Sequence, residues 1–233
     1  RLRKNGKKNG QLQKFLRQAV RAGCKYAVLE VTSEGIKQFR HIGINFYIAV
    51  LTNVTPEHIE SHGSFEAYRA AKAELFKNAK IHVLNGEDPS IEYFLKISAL
   101  SADKPAYKRV VYSKKDLPTD FKLKMLGDFN VENAVAAYHV GKILEIDRDA
   151  IKRALEKVEF VPGRLEFVQK EPFAVVVDYA HTPDALFKVY ETLRPLVGKT
   201  PPRSSTLGVE SPKTPSVFPR GGVDETSGRL ICV

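Results

Sequence analysis

The chain contains no run of about 18 consecutive apolar residues, so no membrane-spanning helix is expected. No basic, apolar and small-residue leader opens it. On those two grounds it reads as soluble and cytoplasmic, without membrane insertion. Cysteine is scarce. Cys24 and Cys232 lie far apart with no metal-ligand spacing, which argues for free, buried thiols in a reducing compartment. Acidic residues are also in deficit: 27 Asp and Glu against 37 Lys and Arg leave a net charge of +10. Much of that excess is spread over Arg1 to Lys14 and scattered helix faces with few interleaved aromatics, so no nucleic-acid platform is expected. Anionic nucleotide substrates account for the sign equally well.

What is present is enough for a core. With 233 residues, 43% of them hydrophobic, one or two domains are expected. Short apolar runs alternate with amphipathic stretches, which predicts an α/β fold with a mostly parallel, doubly wound sheet. The centre of the chain is Leu51 to Phe76. Phe46 to Leu51 reads as a buried strand, Pro56 forbids its continuation, and Gly63-Ser64 offers a break and an N-cap for a helix from Phe65. At about 100° per residue, Phe65, Tyr68, Leu75 and Phe76 share one face with Lys72 in its middle. A lysine there must snorkel, pair with a carboxylate, lower its pKa, or be modified to something that is no longer a cation.

Other elements follow in order. Leu12, Phe15, Leu16 and Ala19 mark a helix stopped at Gly23, and Tyr26 to Val31 reads as a buried strand with Glu30 at its C-terminal end. Glu30 suits either a ligand site at a sheet edge or a rim ion pair with a lysine. Ile81 to Leu84 is a further strand, Ser90 to Ile97 a short helix and Val110 to Tyr112 an edge strand. Asn130 caps a helix packed through Val131, Ala134, Val135, Tyr138 and Ile143, and Arg148 to Val158 forms another. Val161-Pro162-Gly163-Arg164 reads as a hinge. Phe173 to Val177 reads as a buried strand delivering DYAHTPDAL, in which Asp178 can hydrogen-bond a ribose, His181 can reach a phosphate, and Thr182-Pro183 starts a helix. Lys199 to Gly228 is rich in Pro, Ser, Thr and Gly without periodicity and reads as disordered or a very long loop, and Arg229 to Val233 as strand-like.

Four motifs resemble the Mur ligases, most closely their tripeptide-forming branch: Thr52-Asn53, Glu57-His58, His62-Gly63, Tyr68 and Lys72; EVTSEG with Gln38 and Arg40; GDFNVENAVAA; and VPGRLE with DYAHTPDAL. Glu57 stands where that pattern has Asp. The resemblance implies that Lys72 is carbamylated and holds magnesium with Glu30 and His58. It places Thr32, Gln38 and Arg40 on the UDP-muramoyl-dipeptide, and Asn53, Asn130, Arg164, Asp178 and His181 on ATP. Residues 1–160 are then an ATP-binding central domain, and 161–233 the start of a Rossmann-like C-terminal domain with an insertion at 199–228. A phosphate-binding G-x-x-G-K-T loop expected ahead of the first strand does not occur in the sequence.

The activity so implied is ATP-dependent amide-bond formation in peptidoglycan synthesis. A diaminopimelate or lysine is added to UDP-N-acetylmuramoyl-L-alanyl-D-glutamate through an acyl phosphate, by a monomer. The alternatives are a folylpolyglutamate- or cyanophycin-type ligase, and a catalytically dead, nucleotide-binding remnant.

Overall fold

The computed structural model describes residues 10–56, 59–100 and 107–197. Two compact units divide at Glu159/Phe160. The first holds α1 (Gln11–Arg21), α2 (Ser33–Lys37), β1 (Ile48–Leu51), α3 (Ile59–His62), α4 (Phe65–Asn78), β2 (Ile81–Asn85), α5 (Ile91–Ala99), β3 (Lys108–Tyr112), α6 (Asp128–Ile143) and α7 (Arg148–Lys157), with a single 3-10 turn at Lys114–Asp116.

The sheet of this unit is parallel with order β1-β2-β3. In register, Leu51 faces Leu84 and Asn85 faces Tyr112. β2 is buried at all five positions, as a central parallel strand must be when helices cover both faces. Successive side chains point to opposite sides. Leu84 joins Ala49, Leu51, Tyr68, Phe76 and Phe94 in a core under α4 and α5, while Val83 joins Tyr112, Val135 and Ala136 in a core under α6. Each large apolar side chain so buried stabilises the fold by about 1.5–3 kcal/mol. The expected α/β class and the double winding are therefore both present. On β3, Lys108 and Arg109 are exposed, the charge that a sheet edge uses against further pairing.

Several helix ends follow the sequence signals. Ser64 accepts from the Ala67 amide at 3.1 Å to start α4, and Asp147 accepts from Ala150 at 2.9 Å to start α7. The start of α6 departs from expectation. Its N-cap is Gly127 at φ +90°, and Asn130 lies inside the first turn, its Nδ2 donating to the Leu126 carbonyl at 2.7 Å. Glycine opens the helix early because the chain must pass through a left-handed conformation there.

The segment Tyr26 to Val31 is a correction. It forms no strand, and Val28 is 97% exposed. A strand exists through its ladder of hydrogen bonds, and no described segment lies alongside to supply one. α1 ends near Gly23 as expected (φ +79°), yet buries none of its residues, and Cys24 beyond it is exposed rather than buried because no described segment packs over this end of the helix.

The second unit, Phe160–Val233, contains an antiparallel pair, β4 (Glu166–Gln169) and β5 (Val175–Val177), followed by α8 (Pro183–Leu193) and a 3-10 turn at Arg194–Leu196. β4 was not foreseen. β5 is shorter and less covered than the sequence predicts, with Phe173 at 57% and Val177 at 45% exposure. Val161 to Arg164 closes a tight turn, Arg164 N–H to the Val161 carbonyl at 2.8 Å. Thr182 and Pro183 open α8 as expected, the threonine hydroxyl accepting from Ala185. Residues 199–228 and 229–233 lie outside the described residues.

Gly141 lets α6 and α7 approach. A Cβ there would stand 2.7 Å from Ile151 Cδ1, and Ile151 is buried. Gly141→Ala gains about 1 kcal/mol of helix propensity against about 1–3 kcal/mol of overpacking. The expected outcome is a net loss of about 1 kcal/mol, read as a lowered midpoint in chemical denaturation.

His139 on α6 supplies a pH effect. Burial pushes its pKa below 6.5; Asp116, 3.9 Å away and too far for a hydrogen bond, opposes the shift without reversing it, and Lys142 adds to it. The unfolded chain binds that proton more readily, so this stability is complete above pH 6.5 and lost as pH falls below it. His139→Gln is expected to flatten the fall in stability between pH 7 and pH 5 in urea titrations. An unchanged slope would remove His139 as its source.

Candidate active site

The candidate residues of the first unit fall in three groups. Glu30, Thr32 and Arg40 line one cavity of about 500 Å³, together with Gln11, His41 and Phe46. Glu30 is exposed. Thr32 caps α2, its Oγ1 accepting from the Gly35 amide at 3.0 Å, and so fixes the turn that presents Arg40. Gln38 is tied on both sides, donating to Glu34 Oε1 at 2.9 Å and accepting from Arg40 Nη2. The guanidinium fork is thus oriented by the amide that the same motif provides, an arrangement suited to a phosphate or carboxylate.

The second group joins this motif to the helix bearing Lys72. Ser33, buried at the start of α2, lies 3.1 Å by its Oγ from His62 Nε2, and Lys37 Nζ donates to the Ser61 carbonyl. The His62 ring meets the Tyr68 ring edge-on at 5.4 Å, and Lys72 Nζ stands 5.2 Å from the centre of the Tyr68 ring. Lys72 is half-buried on the face predicted for it, with Tyr68 and Phe76 buried and Phe65 and Leu75 partly so. His58 lies outside the described residues. Among the described residues no three His, Cys, Asp or Glu side chains converge on a point that could hold a metal ion.

The third group sits at the C-terminal ends of the strands, where open α/β sheets bind ligands. Asn53 is exposed between Thr52 and the buried Val54. Tyr112 Oη donates to the Leu51 carbonyl at 3.1 Å, Asn85 Nδ2 to the Thr52 carbonyl at 2.8 Å, and the Val54 amide donates to Asp88 Oδ2 at 2.6 Å. Asp88 also accepts from Ser90 N–H at 2.7 Å, and Asn85 lies 3.3 Å from Glu132 Oε2 on α6. Burial, with Glu132, Asp88 and Glu87 nearby, pushes the Tyr112 phenol far above its usual range, so it stays a donor. Lys114 bonds Asp128 at 2.8 Å at the start of α6, which raises the lysine pKa. Asn130 stands in the first turn of the same helix.

In the second unit, Arg164 lies with its guanidinium carbon 4.8 Å from the centre of the Tyr179 ring, which meets the His181 ring edge-on at 4.9 Å. His181 Nδ1 donates to the Tyr179 carbonyl at 2.9 Å. Asp178 accepts from the Leu165 and Ala180 amides, each at 2.7 Å, so each of its oxygens already holds the turn while keeping further lone pairs.

With this geometry in place, likeness to known proteins is informative. The Mur ligase middle-domain profile matches residues 3–141, more than half of the chain. The chain belongs to the Mur ligase family. It is 37% identical over 223 residues to a UDP-N-acetylmuramyl-tripeptide synthetase of Roseiflexus sp. (strain RS-1), covering 80% of this chain and 43% of that protein. It is 35% identical over 217 residues to a UDP-N-acetylmuramoyl-L-alanyl-D-glutamate--2,6-diaminopimelate ligase of Gloeobacter violaceus (strain ATCC 29082 / PCC 7421), covering 80% of this chain and 42% of that one. The chain thus spans less than half the length of these curated relatives. A solved diaminopimelate ligase of the same name superposes with a TM-score of 0.65 at 31% identity, over 79% of this chain and 43% of that structure. A folylpolyglutamate synthase from Mycobacterium tuberculosis, with a TM-score of 0.52 at 21% identity over 65% of this chain and 40% of that one, shares the fold.

Sequence reasoning passed over Ser33, Asn85 and Asp88. Asn85 and Asp88 did carry a signal, since an amide and a carboxylate directly after a fully apolar strand fall where the backbone leaves its ladder and needs partners. Thr32→Val keeps the shape and removes the cap. The expected loss is about 1 kcal/mol, with faster hydrogen exchange at the Gly35 amide; unchanged exchange there would mean that the hydroxyl does not hold the turn.

Proposed function

We propose that this chain is part of an ATP-dependent ligase that joins the α-amino group of diaminopimelate or lysine to UDP-N-acetylmuramoyl-L-alanyl-D-glutamate. The observation that carries this reading is the continuous contact from Ser33 through His62 and Tyr68 to Lys72, which ties the motif of Thr32, Gln38 and Arg40 to the lysine-bearing helix. The two curated relatives described above bear the names of tripeptide-forming ligases.

In this reading Arg40, aligned by Gln38, holds an anionic group of the muramoyl dipeptide, with Thr32 and Glu30 on the same cavity wall. Asn130 takes the adenine side of ATP, Asn53 makes a further contact with the nucleotide, and Arg164, Asp178 and His181 meet its phosphates and ribose. Reaction begins when the glutamyl carboxylate oxygen attacks the γ-phosphorus and ADP leaves. The amine then attacks the acyl carbon, phosphate leaves with the bonding electrons, and the amine proton is lost. The site depends on holding the reacting groups in line and offsetting their charge.

The donor set fits magnesium through oxygen. Glu30 offers a carboxylate, and Lys72 offers oxygen only as a carbamate, formed when neutral Nζ adds to carbon dioxide and loses a proton. His58 is the remaining proposed ligand. Magnesium, when bound, offsets the charge that accumulates during phosphoryl transfer. The position of Lys72, half-buried on the face it shares with Tyr68, Leu75 and Phe76, supports this assignment.

Residues 1–160 then correspond to the central ATP-binding domain and 161–233 to the start of the C-terminal domain, with 199–228 an insertion. The protein works as a cytoplasmic monomer. The test is ADP release from ATP and magnesium with the muramoyl dipeptide, with and without diaminopimelate or lysine. Release that requires both acceptor and amino acid is expected; none would overturn the reading and leave a nucleotide-binding remnant. Release with a folate acceptor instead would move the protein to the folylpolyglutamate branch. Lys72→Ala is expected to lower kcat by about 100-fold or more, and ¹³C-bicarbonate to give a carbamate signal that the variant lacks. Full activity in that variant would exclude Lys72 from holding magnesium.

A further inference from the structure

Three hydrogen bonds converge on the exit of β1, and two of them bracket one residue. The Thr52 carbonyl belongs to the peptide unit before Asn53, and the Val54 amide to the unit after it. Asn85 Nδ2 holds the first at 2.8 Å and Asp88 Oδ2 the second at 2.6 Å. Tyr112 fixes the preceding Leu51 carbonyl at 3.1 Å. Both peptide planes flanking Asn53 are therefore anchored, which fixes the direction of its Cα–Cβ bond while the side chain stays exposed. The anchors are themselves rigid, since Asn85 and Asp88 are 2% and 4% exposed and Asp88 is tied to the Ser90 amide.

We infer that Asn85 and Asp88 are positioning residues that orient Asn53 toward bound nucleotide. The inference rests on the proposed nucleotide contact of Asn53. Asn85 also reaches Glu132 Oε2 at 3.3 Å, so the same amide links this loop to α6, the helix that carries Asn130. Loss of either anchor frees one peptide plane. The resulting spread of Asn53 conformations must be lost again on binding, which weakens affinity without removing any contact to ligand.

The test is a double-mutant cycle on the full chain, read as the dissociation constant of magnesium-ADP. Asn53→Ala is expected to weaken binding about tenfold, or about 1.4 kcal/mol. Asp88→Asn and Asn85→Ala should each weaken it severalfold, and Asn53→Ala combined with Asp88→Asn no more than Asn53→Ala alone. Effects that multiply would overturn the inference, because they would show that Asp88 acts independently of Asn53. Ser98→Ala is the control. It removes an equally buried hydrogen bond, 2.8 Å to His82 Nδ1 near the start of β2, and a second one to Tyr107 Oη, and should leave affinity unchanged. Hydrogen exchange at the Val54 amide is the second readout and needs no ligand. It should quicken at least tenfold in Asp88→Asn, and an unchanged rate there overturns the clamp. If the unmodified chain binds no adenine nucleotide the proposed function fails, while the exchange measurement still decides whether Asp88 pins the loop. Should Asp88→Asn not fold, Asn85→Ala carries the same cycle.

Discussion

The carboxylate of Asp88 is the constraint on which the candidate site most depends. It is buried, and its described hydrogen bonds are to two backbone amides, one from the β1 exit and one from the start of α5. An ionised group away from water is tolerated only when hydrogen bonds replace its hydration. Here that requirement is met by amides that would otherwise lack partners, since a strand that has left its ladder and a helix in its first turn both expose N–H groups. One side chain thereby satisfies two separate deficits, and the sheet edge gains a defined shape.

Much of the scaffold was legible because its causes are local. Runs such as Ile81 to Leu84 declare a buried strand, Ser64 and Thr182-Pro183 mark helix starts, and the spacing of Tyr68, Lys72 and Phe76 places the lysine on an apolar face. What was not legible depends on distant partners. The anchors of the β1 exit are separated from it by 33, 34 and 61 residues, and nothing in the local pattern of Asn85 or Asp88 names Thr52 or Val54. Tyr26 to Val31 shows the converse, a local pattern that is sound for a strand but meets no pairing neighbour among the described residues. Asn130 was misjudged by three positions because Gly127 begins the helix through backbone freedom, which a search for capping side chains does not detect.

The candidate site was legible in another way, through the identities of a few residues. Thr32, Gln38 and Arg40 were named as a group, and the structure shows that they support one another: a hydroxyl closing the turn, an amide aligning a guanidinium. The same holds for His62, Tyr68 and Lys72, in contact one after another from one helix into the next. In the second unit, the turn around Asp178 holds Arg164, Tyr179 and His181 side by side. Each cluster is complete within its own unit.

The parallel sheet has a further electrical effect. Helices α4, α5 and α6 each follow a strand of the same sheet, so all three begin on the side where those strands end. The peptide dipoles of a helix sum to about half a positive charge at its start. Glu66, Glu92 and Asp128, one in each first turn, answer that charge. The backbone itself therefore contributes positive partial charge at the strand edge, set against the carboxylates of Glu87, Asp88 and Glu132. That contribution requires no lysine or arginine and is insensitive to pH. Charge reversal at the surface would leave it in place.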